Sequence, residues 1–566
     1  MKKIAFCFVF VLVQIFSLHG QRQPVATYIF INGQLFTADE QDKAASAMVI
    51  HADTIVYVGS DEGALAWQGA ATVVTDLKGA FVMPGLIEGH GHFNGLGNSL
   101  QVIDLSESRD WAAVVKAVAE KAASTPPGTW ITGRGWHQEK WATRVSASVD
   151  GYPRHDLLSS AVPDHPVLLQ HASGHAVLAN ANAMEKAGIE ASTTAPPGGR
   201  IVRDAGGQAT GIFEENATVL VERPFEAWRA LQGRSRSRER FEEAARMAAA
   251  ECLRQGITSF QDAGCSFEEL EVYERMAERG LLEVRLWCMA AQPAPSETGL
   301  LAAYPKVDKG NGFFTCRAVK CYMDGALGSY GAWLLRPYRD RPGYTGQNLS
   351  PTDSIAAVAR ACKEYGLQCC VHAIGDRGNR VTLDVFESAL QGDRGRRWRI
   401  EHAQHLDNKD IPRFAKLGVI ASMQTIHCTS DAPFVEKRLG RARARRGAYA
   451  WRRLLRSGAL LANGTDTPVE RVAPLHNIYA AVTRRRTDTG QVFFEGQRLT
   501  RREALLSYTK WNAYAAFEEG HKGMLRPGFY ADIAVFDTNL LTCPDHALLT
   551  AKVVMTMVAG KKVYEP

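Results

Sequence analysis

The chain lacks a strong charge of either sign. It carries 66 Lys and Arg residues against 60 Asp and Glu residues, so its formal net charge is only +6 over 566 residues. A balance this even argues against a nucleic-acid partner. The basic runs at 441–446 and 484–486 have no interleaved aromatic residues, which is typical of solvated helix faces, although the first run also fits an anionic substrate or surface. Hydrophobic residues make up 46% of the chain, enough for a large globular protein.

The sequence also lacks a disulfide framework. Most of its 11 cysteines fall within apolar, strand-like runs such as 287–289 and 369–371, where a cysteine is typical of a small buried side chain. The positions of the cysteines alone do not exclude a disulfide bond in an exported protein.

No long apolar segment follows the N-terminus, so the rest of the chain predicts no stable membrane span. Residues 1–20 begin with Lys2 and Lys3 and continue into a short apolar core, which predicts a secretory signal peptide. Its removal would reduce the net charge to +4, which is 6 minus 2 because residues 1–20 contain no acid. The predicted localisation is therefore periplasmic or secreted, with an uncleaved N-terminal anchor as the alternative.

The chain divides into two β-rich ends and a different middle. Residues 21–80 and 519–566 alternate apolar and polar residues between turn signals, which predicts one small β-sandwich built from both ends. Residues 81–518 predict a single large domain inserted in that sandwich. Within it, residues 95–235 are far longer than an ordinary connection between two strands, so they predict an insertion subdomain over the mouth of the domain.

The middle of the chain repeats a short apolar run followed by a helix-forming stretch, such as 238–254 or 355–365. Eight such runs predict a (β/α)8 TIM-like barrel, an α/β fold whose active site lies at the carboxyl ends of the strands. The eight runs are 81–93, 256–262, 284–289, 318–323, 369–372, 398–402, 419–424 and 459–466.

Several of these runs end in a residue able to bind a metal ion. His90 and His92 are two apart at the end of the first run, so in a strand their imidazoles point to the same side. Neutral imidazole suits zinc and related metals. Alone, the pair equally fits surface or packing histidines. The pattern recurs, however, at four later strand ends: Lys320, His372, His402 and Asp466.

Seven motifs carry a resemblance to a known family. They are 84–93 (PGLIEGHGHF), 135–141 (GWHQEKW), 173–176 (SGHA), 319–329 (VKCYMDGALGS), 372–376 (HAIGD), 400–404 (IEHAQ) and 464–469 (GTDTPV). Together and in this order they resemble the amidohydrolase superfamily, specifically its YtcJ-like amidohydrolase 3 family, which includes N-substituted formamide deformylases. The resemblance covers nearly the whole mature chain.

The resemblance implies a binuclear metal centre, with zinc as the expected metal. Its ligands would be, for one ion, His90, His92 and Asp466 and, for the second, His372 and His402. Lys320 would bridge the two ions as a carbamate formed with carbon dioxide, because a carbamate oxygen binds a cation and an ammonium group does not. A structural or phosphate-binding lysine is the alternative. The family mechanism makes Asp466 the general base for a metal-activated hydroxide that attacks the amide carbonyl.

The same resemblance gives three candidate substrate contacts, Trp136, His175 and Asp324. Trp136 could equally pack the insertion onto the barrel. Asp324 could equally cap the loop that follows it. The chain then reads Tyr330-Gly331-Ala332, where the family commonly has Arg-Thr-Ala. The substrate preference of a relative therefore does not transfer.

The predicted function is a metal-dependent hydrolase that cleaves a non-peptide carbon–nitrogen bond, amide or formamide, of a small-molecule substrate. A mononuclear deaminase or cyclic-ureide hydrolase, with Lys320 unmodified, is the alternative among enzymes. A noncatalytic periplasmic ligand-binding protein is the alternative from another class, and the complete set of metal ligands argues against it. A homo-oligomer is also consistent with the sequence.

Overall fold

The structure, a computed structural model, describes residues 25–39, 44–143, 145, 148–231 and 234–566. The predicted signal peptide, residues 1–20, lies outside the described residues. In the part of the chain that is described, no helix combines the length and the apolar character that crossing a bilayer requires.

Eight parallel strands form the nearly closed barrel that the sequence predicts. Each strand pairs with the next one along the chain. Their residues are almost all buried, as expected for parallel strands covered by other elements on both faces. The strands span Leu86–Gly91, Ile257–Cys265, Arg285–Ala291, Phe314–Tyr322, Gln368–Ala373, Arg399–His402, Ile420–Met423 and Leu461–Asn463.

Helices alternate with the barrel strands and share one apolar core with them, to which Leu270, Val358 and Phe386 contribute. The two predicted helices are confirmed, although they begin earlier in the structure, at Arg234 and Thr352. The helices longer than one turn span Asp61–Leu65, Phe93–Ser99, Trp111–Ala123, Asp156–Ala161, Ala181–Lys186, Val219–Ala230, Arg234–Arg254, Phe267–Glu278, Thr352–Tyr365, Asp376–Leu390, Ile411–Leu417, Ala432–Leu439, Arg441–Gly447, Trp451–Arg456, Pro474–Thr483, Arg501–Ser507 and Lys510–Ala515.

Side-chain and main-chain hydrogen bonds join the first and eighth strands, where the barrel closes. Asn512 Nδ2 donates to the carbonyl oxygens of Ile87 and Asn463, both at 2.7 Å, and Asn512 Oδ1 accepts from the Asn463 N–H at 3.0 Å. Farther along, the N–H of Asp466 donates to the carbonyl of His90 at 2.8 Å. This seam between the first and eighth strands therefore holds two predicted metal ligands, His90 and Asp466, side by side.

Two sheets built from both ends of the chain form the predicted sandwich. Their shared core includes Phe30, Ile50, Val82, Val535 and Met557. The first sheet contains the strands Tyr28–Ile31, Ala47–His51, Thr54–Gly59 and Val73–Asp76, and the second contains Gln34–Leu35, Phe81–Pro84, Ile533–Phe536, Val553–Val558 and Lys561–Tyr564.

The predicted first barrel run, residues 81–93, belongs to two sheets. Phe81–Pro84 pairs antiparallel with a C-terminal strand of the sandwich, and only Leu86–Gly91 enters the barrel. Gly85 separates the two strands at a point of close approach, where a Cβ would lie 2.1 Å from Thr258 Oγ1. The sandwich thus extends past the predicted boundary at residue 80, because a buried sandwich strand and a buried barrel strand have the same apolar pattern.

The long insertion contains a six-stranded sheet. One face of the sheet packs on the helix Trp111–Ala123. The other face packs near the helix Val219–Ala230 and forms one wall of a cavity at the carboxyl end of the barrel. In spatial order, the strands are Gly199–Arg203, Ala209–Glu215, Ala176–Ala179, Val167–His171, Ile131–Trp136 and Ile103–Asp104.

Candidate active site

Three predicted metal ligands converge at the carboxyl end of the barrel. The donor atoms of His90, His92 and Asp466 all lie within 4.8 Å of one another. Asp466 Oδ1 is 3.3 Å from His92 Nε2 and 3.5 Å from His90 Nε2. His90 Nε2 and Asp466 Oδ1 are buried and have no hydrogen-bond partner among the described residues. Buried polar atoms are normally paired, so this set of two imidazoles and a carboxylate fits a bound zinc ion.

The backbone around these ligands is unusual. His402 and Asp466 adopt φ angles of +75° and +58°. Left-handed backbone at residues other than glycine is uncommon and concentrates at functional sites. The N–H of His92 donates to the carbonyl of Thr467 at 2.7 Å. The loop after the eighth strand is therefore fixed to the loop after the first, and Asp466 is held facing the two histidines.

A buried carboxylate orients His90 from behind. His90 Nδ1 lies 2.5 Å from Glu401 Oε2, and both side chains are fully buried. Burial alone would raise the pKa of Glu401, but His90 and the guanidinium of Arg399 lower that pKa to about 2. Glu401 is therefore ionised and accepts a hydrogen bond from Nδ1–H of His90, which leaves the lone pair of Nε2 free to face a metal ion.

The other two predicted histidine ligands lie beside this group. The rings of His372 and His402 have centroids 4.4 Å apart, and the His402 ring is 4.8 Å from that of His90. His402 Nδ1 lies 2.7 Å from Gln424 Oε1, while His372 Nε2 is buried without a hydrogen-bond partner in the described chain. All five predicted histidine and aspartate ligands are thus gathered at one end of the barrel.

Lys320 lies in the fourth strand and reaches the same cavity as His372 and His402. Lys320 is 1% exposed, and its Nζ lies 4.7 Å from the centroid of the Tyr322 ring. No carboxylate of the described residues forms an ion pair with it. A buried cation without such a partner is costly, and Lys320 lies beside the predicted ligands without a carboxylate of the described residues to balance its charge.

The protonation states of the cluster suit metal binding. Burial lowers the pKa of His90, His372 and His402 below the ordinary histidine value. Neutral imidazole is the form that binds a metal. Burial would raise the pKa of Asp466, but its contact with His92 and the other nearby imidazoles lower that pKa well below the usual range. Asp466 is therefore a carboxylate.

Two cavities meet at the cluster. The larger has a volume of about 750 Å³ and lies between the barrel end and the insertion. The smaller has a volume of about 50 Å³ and is lined by polar residues that include His137, Gln404 and His427. Six residues line both cavities at their junction: Ser173, His175, His372, His402, Asp466 and Val469. A substrate bound there would place its reacting bond at the junction, with one half in each cavity.

His175 is the candidate substrate contact that lies at this junction. Its Nδ1 is 2.7 Å from Glu215 Oε2, and its ring centroid is 5.2 Å from that of His372. Burial lowers the pKa of His175, but the Glu215 carboxylate raises it more, so the net shift is upward. Because Glu215 holds Nδ1, the opposite nitrogen of His175 is left for a substrate.

The other two candidate substrate contacts, Trp136 and Asp324, line neither cavity. Trp136 is 0% exposed in the core of the insertion, and its Nε1 donates to the carbonyl of Leu169 at 2.9 Å. Asp324 is 0% exposed and accepts three main-chain N–H bonds from two loops, each at 2.8 Å. Burial raises the pKa of Asp324 to about 7. In the structure Trp136 thus packs in the insertion, and Asp324 holds two loops while its Oδ1 lies 3.8 Å from Nε2 of the predicted ligand His372. Their role as substrate contacts stays a prediction.

Four further residues of the site were not among the sequence candidates. Glu401 directly precedes His402 in the motif 400–404, so its position beside a predicted ligand could have identified it as a candidate. Gln424 lies at the end of the seventh run, the position at which several other runs carry predicted ligands. Glu215 and Arg134, of which the second lines the larger cavity, gave no signal, because they lie in the insertion and come near the other site residues only through the folding of its sheet.

Comparison with known proteins gives relatives over almost the full length. The model of the amidohydrolase family matches residues 73–564. The chain is 32% identical over 558 residues to the protein LONG AFTER FAR-RED 3 of Arabidopsis thaliana, covering 95% of this chain and 92% of that protein. It is 30% identical over 546 residues to YtcJ of Bacillus subtilis, covering 95% and 99%. Identity to the N-substituted formamide deformylase of Arthrobacter pascens is 24% over 545 residues, covering 95% and 98%.

A solved structure is similar in fold and sequence. It is an uncharacterized metal-dependent hydrolase from Pyrococcus horikoshii OT3, with a TM-score of 0.72 and 26% identity over 92% of this chain and 99% of that one. These matches confirm the resemblance carried by the seven motifs and the barrel architecture, and they support a metal-dependent hydrolase.

Proposed function

The chain belongs to the amidohydrolase family, and from this premise we propose that it is an exported hydrolase that cleaves a non-peptide carbon–nitrogen bond, amide or formamide, of a small molecule. One observation carries the proposal: His90 Nε2 and Asp466 Oδ1 are buried without hydrogen-bond partners among the described residues, and His92 lies beside them. The similarity to a formamide deformylase supports the bond type, and the N-terminal sequence supports export.

Two zinc ions fit the donor set. His90, His92 and Asp466 would hold one ion, and His372 and His402 the second. Lys320, carboxylated by carbon dioxide, would bridge them as a carbamate, for which its burial without an ion pair to any described residue gives support. When bound, the ions would lower the pKa of a water molecule and polarise the substrate carbonyl.

The residues of the chain then divide the remaining work. Asp466 accepts the proton that the attacking water loses and delivers it to the nitrogen as the carbon–nitrogen bond breaks. The water oxygen stays on the carbonyl carbon, so the products are an acid and an amine. His175, held by Glu215 at 2.7 Å, donates a hydrogen bond to the substrate at the junction of the cavities. The insertion excludes bulk water by covering the larger cavity.

The test is amine release from a panel of N-formyl amines, N-acyl amino acids, aryl amides and cyclic ureides by the mature protein loaded with zinc in bicarbonate buffer. Turnover that a chelator abolishes and zinc restores is the expected result. Silence across the amides and formamides, from protein that still holds metal, would overturn the proposal.

Metal content tests the binuclear centre separately. We expect close to two zinc ions per chain, and a loss of metal in K320Q, because the bridging ligand is removed. Lys522 provides a matched control, since it is also buried but pairs with Glu518 at 2.7 Å, away from the cluster. K522Q should keep its metal. One ion per chain in wild type and in K320Q would instead favour a mononuclear deaminase or cyclic-ureide hydrolase.

A further inference from the structure

An arginine of the insertion faces the larger cavity near the metal ligands. Arg134 lies in the strand Ile131–Trp136, is 9% exposed, and lines the cavity together with Asp466 and Lys320. Its neighbours on the cavity wall include Thr132 on the same strand and Gln170, which is its partner on the adjacent strand.

A bulge in the strand directs this side chain into the cavity. Arg134 pairs with Gln170 and Trp136 with the next residue, His171, so Gly135 is the extra residue. Gly135 has a φ of +101°, and a Cβ there would lie 2.9 Å from the Ser106 nitrogen. A bulge of one residue reverses the alternation of side chains. Arg134 therefore faces the cavity while Trp136 faces the core of the insertion.

The guanidinium of Arg134 has few partners. Its one hydrogen bond among the described residues goes from Nη1 to the carbonyl of Pro468, it makes no ion pair there, and its buried Nε has no partner. The other cavity arginines are engaged: Arg229 pairs with Glu226 at 3.1 Å, and Arg240 donates to the carbonyl of Arg229 at 3.4 Å. Burial of an unpaired guanidinium is costly unless a ligand supplies the missing anion.

We propose that Arg134 is a specificity-determining residue that binds a carboxylate carried by the substrate. This inference rests on the proposed function and names its substrate class. Arg presents a planar fork of donors that matches a carboxylate. Burial lowers the pKa of Arg134 to about 10 against the opposing charge of Asp466, so the side chain remains a cation at neutral pH.

The rest of the wall indicates what surrounds that carboxylate. Leu168, Val177 and Phe225 line the same cavity and supply apolar surface. The smaller cavity, at about 50 Å³, has room for only a small group on the other side of the reacting bond. An amino acid with an apolar side chain, acylated on nitrogen by a formyl or another short acyl group, satisfies all three features.

The experiment compares a charged and a neutral probe of one shape. N-formylphenylalanine, as both enantiomers, and N-formylphenylalaninamide are offered to zinc-loaded wild type, R134Q, R134K and R229Q. Hydrolysis gives kcat and KM, and calorimetry gives the affinity for each compound. R134Q keeps a donor for the Pro468 carbonyl and loses the charge, whereas R229Q removes a cavity arginine that is already paired. Thermal unfolding checks that each variant is folded.

Wild type should prefer the acid over the amide. R134Q should weaken binding of the acid about 10- to 100-fold, which is the effect of a lost hydrogen bond to a charged group, and leave the amide nearly unchanged. R134K should keep part of the preference, and R229Q all of it. If R134Q lost the same affinity for both compounds, Arg134 would only hold the Pro468 loop, and the proposal would be wrong. Equal affinity of wild type for the acid and the amide would also overturn it. Calorimetry gives this answer even if neither compound is hydrolysed, so hydrolysis of the wider panel decides the proposed function independently.

Discussion

The closure of the barrel makes a quantitative prediction about Asn512. This residue is 0% exposed, and its side chain makes three hydrogen bonds across the seam, to the carbonyls of Ile87 and Asn463 and from the N–H of Asn463. The substitution N512A removes all three bonds and leaves three main-chain groups without these partners in a buried place.

Each buried group left unsatisfied costs about 1 to 3 kcal/mol. Three such groups would cost up to about 9 kcal/mol, but water entering the space left by the side chain would pair some of them, so we expect a loss of about 3 to 5 kcal/mol. Because the seam also holds Asp466 beside His90, the affinity for zinc should fall as well. A well-packed site loses affinity when its supporting bonds are removed.

Urea-induced unfolding followed by tryptophan fluorescence measures the first effect, and a competition titration with a chelating dye measures the second. N182A is the control, because among the described residues the Asn182 side chain makes one hydrogen bond, to the Pro163 carbonyl at 2.9 Å in the insertion. A change in unfolding free energy for N512A no larger than that for N182A, with zinc affinity unchanged, would refute the reasoning.

Three further substitutions separate chemistry, metal binding and packing. D466N should abolish turnover and spare the fold, since the amide cannot take up the proton of the attacking water; wild-type turnover by a variant with an unaltered circular dichroism spectrum contradicts this role. E401Q should weaken zinc binding about 10- to 100-fold, because a neutral amide replaces the carboxylate that orients His90; unchanged zinc affinity in equilibrium dialysis would argue against it. W136A should cost about 3 to 5 kcal/mol of stability, as for other fully buried aromatic residues, and should not alter the preference among substrates. A selective rise in KM for one substrate, without loss of stability, would return Trp136 to the substrate site.

The barrel was predictable because each of its strands is a short apolar run bounded by polar or turn-forming residues. The candidate ligands were predictable for a related reason: parallel strands in a barrel bring their carboxyl ends to one side. His372 and His402, for example, end neighbouring strands, and their rings lie 4.4 Å apart. Local sequence and one topological rule are sufficient for such contacts.

Interactions between side chains that are remote in sequence were not predictable in this way. His90 and Glu401 are 311 residues apart, and the pairing of their side chains depends on how the first and sixth strands lie across the barrel. The pattern of either strand alone contains no information about that distance. The same holds for Asn512, whose contacts at the seam come from a helix that follows the last barrel strand.

The insertion shows why a regular alternation can mislead at a functional site. In a straight strand, Arg134 and Trp136 would share a face, so both side chains would point toward the cavity. The extra residue at Gly135 separates them, so the tryptophan packs in the core and the arginine faces the cavity. Bulges are common next to active sites because they redirect one side chain without changing the rest of the sheet. The glycine at this position, which permits the φ of +101°, thus decides which of the two side chains faces the cavity. Whether charge or aromatic surface controls substrate preference is the measurement that tests the role proposed for Arg134.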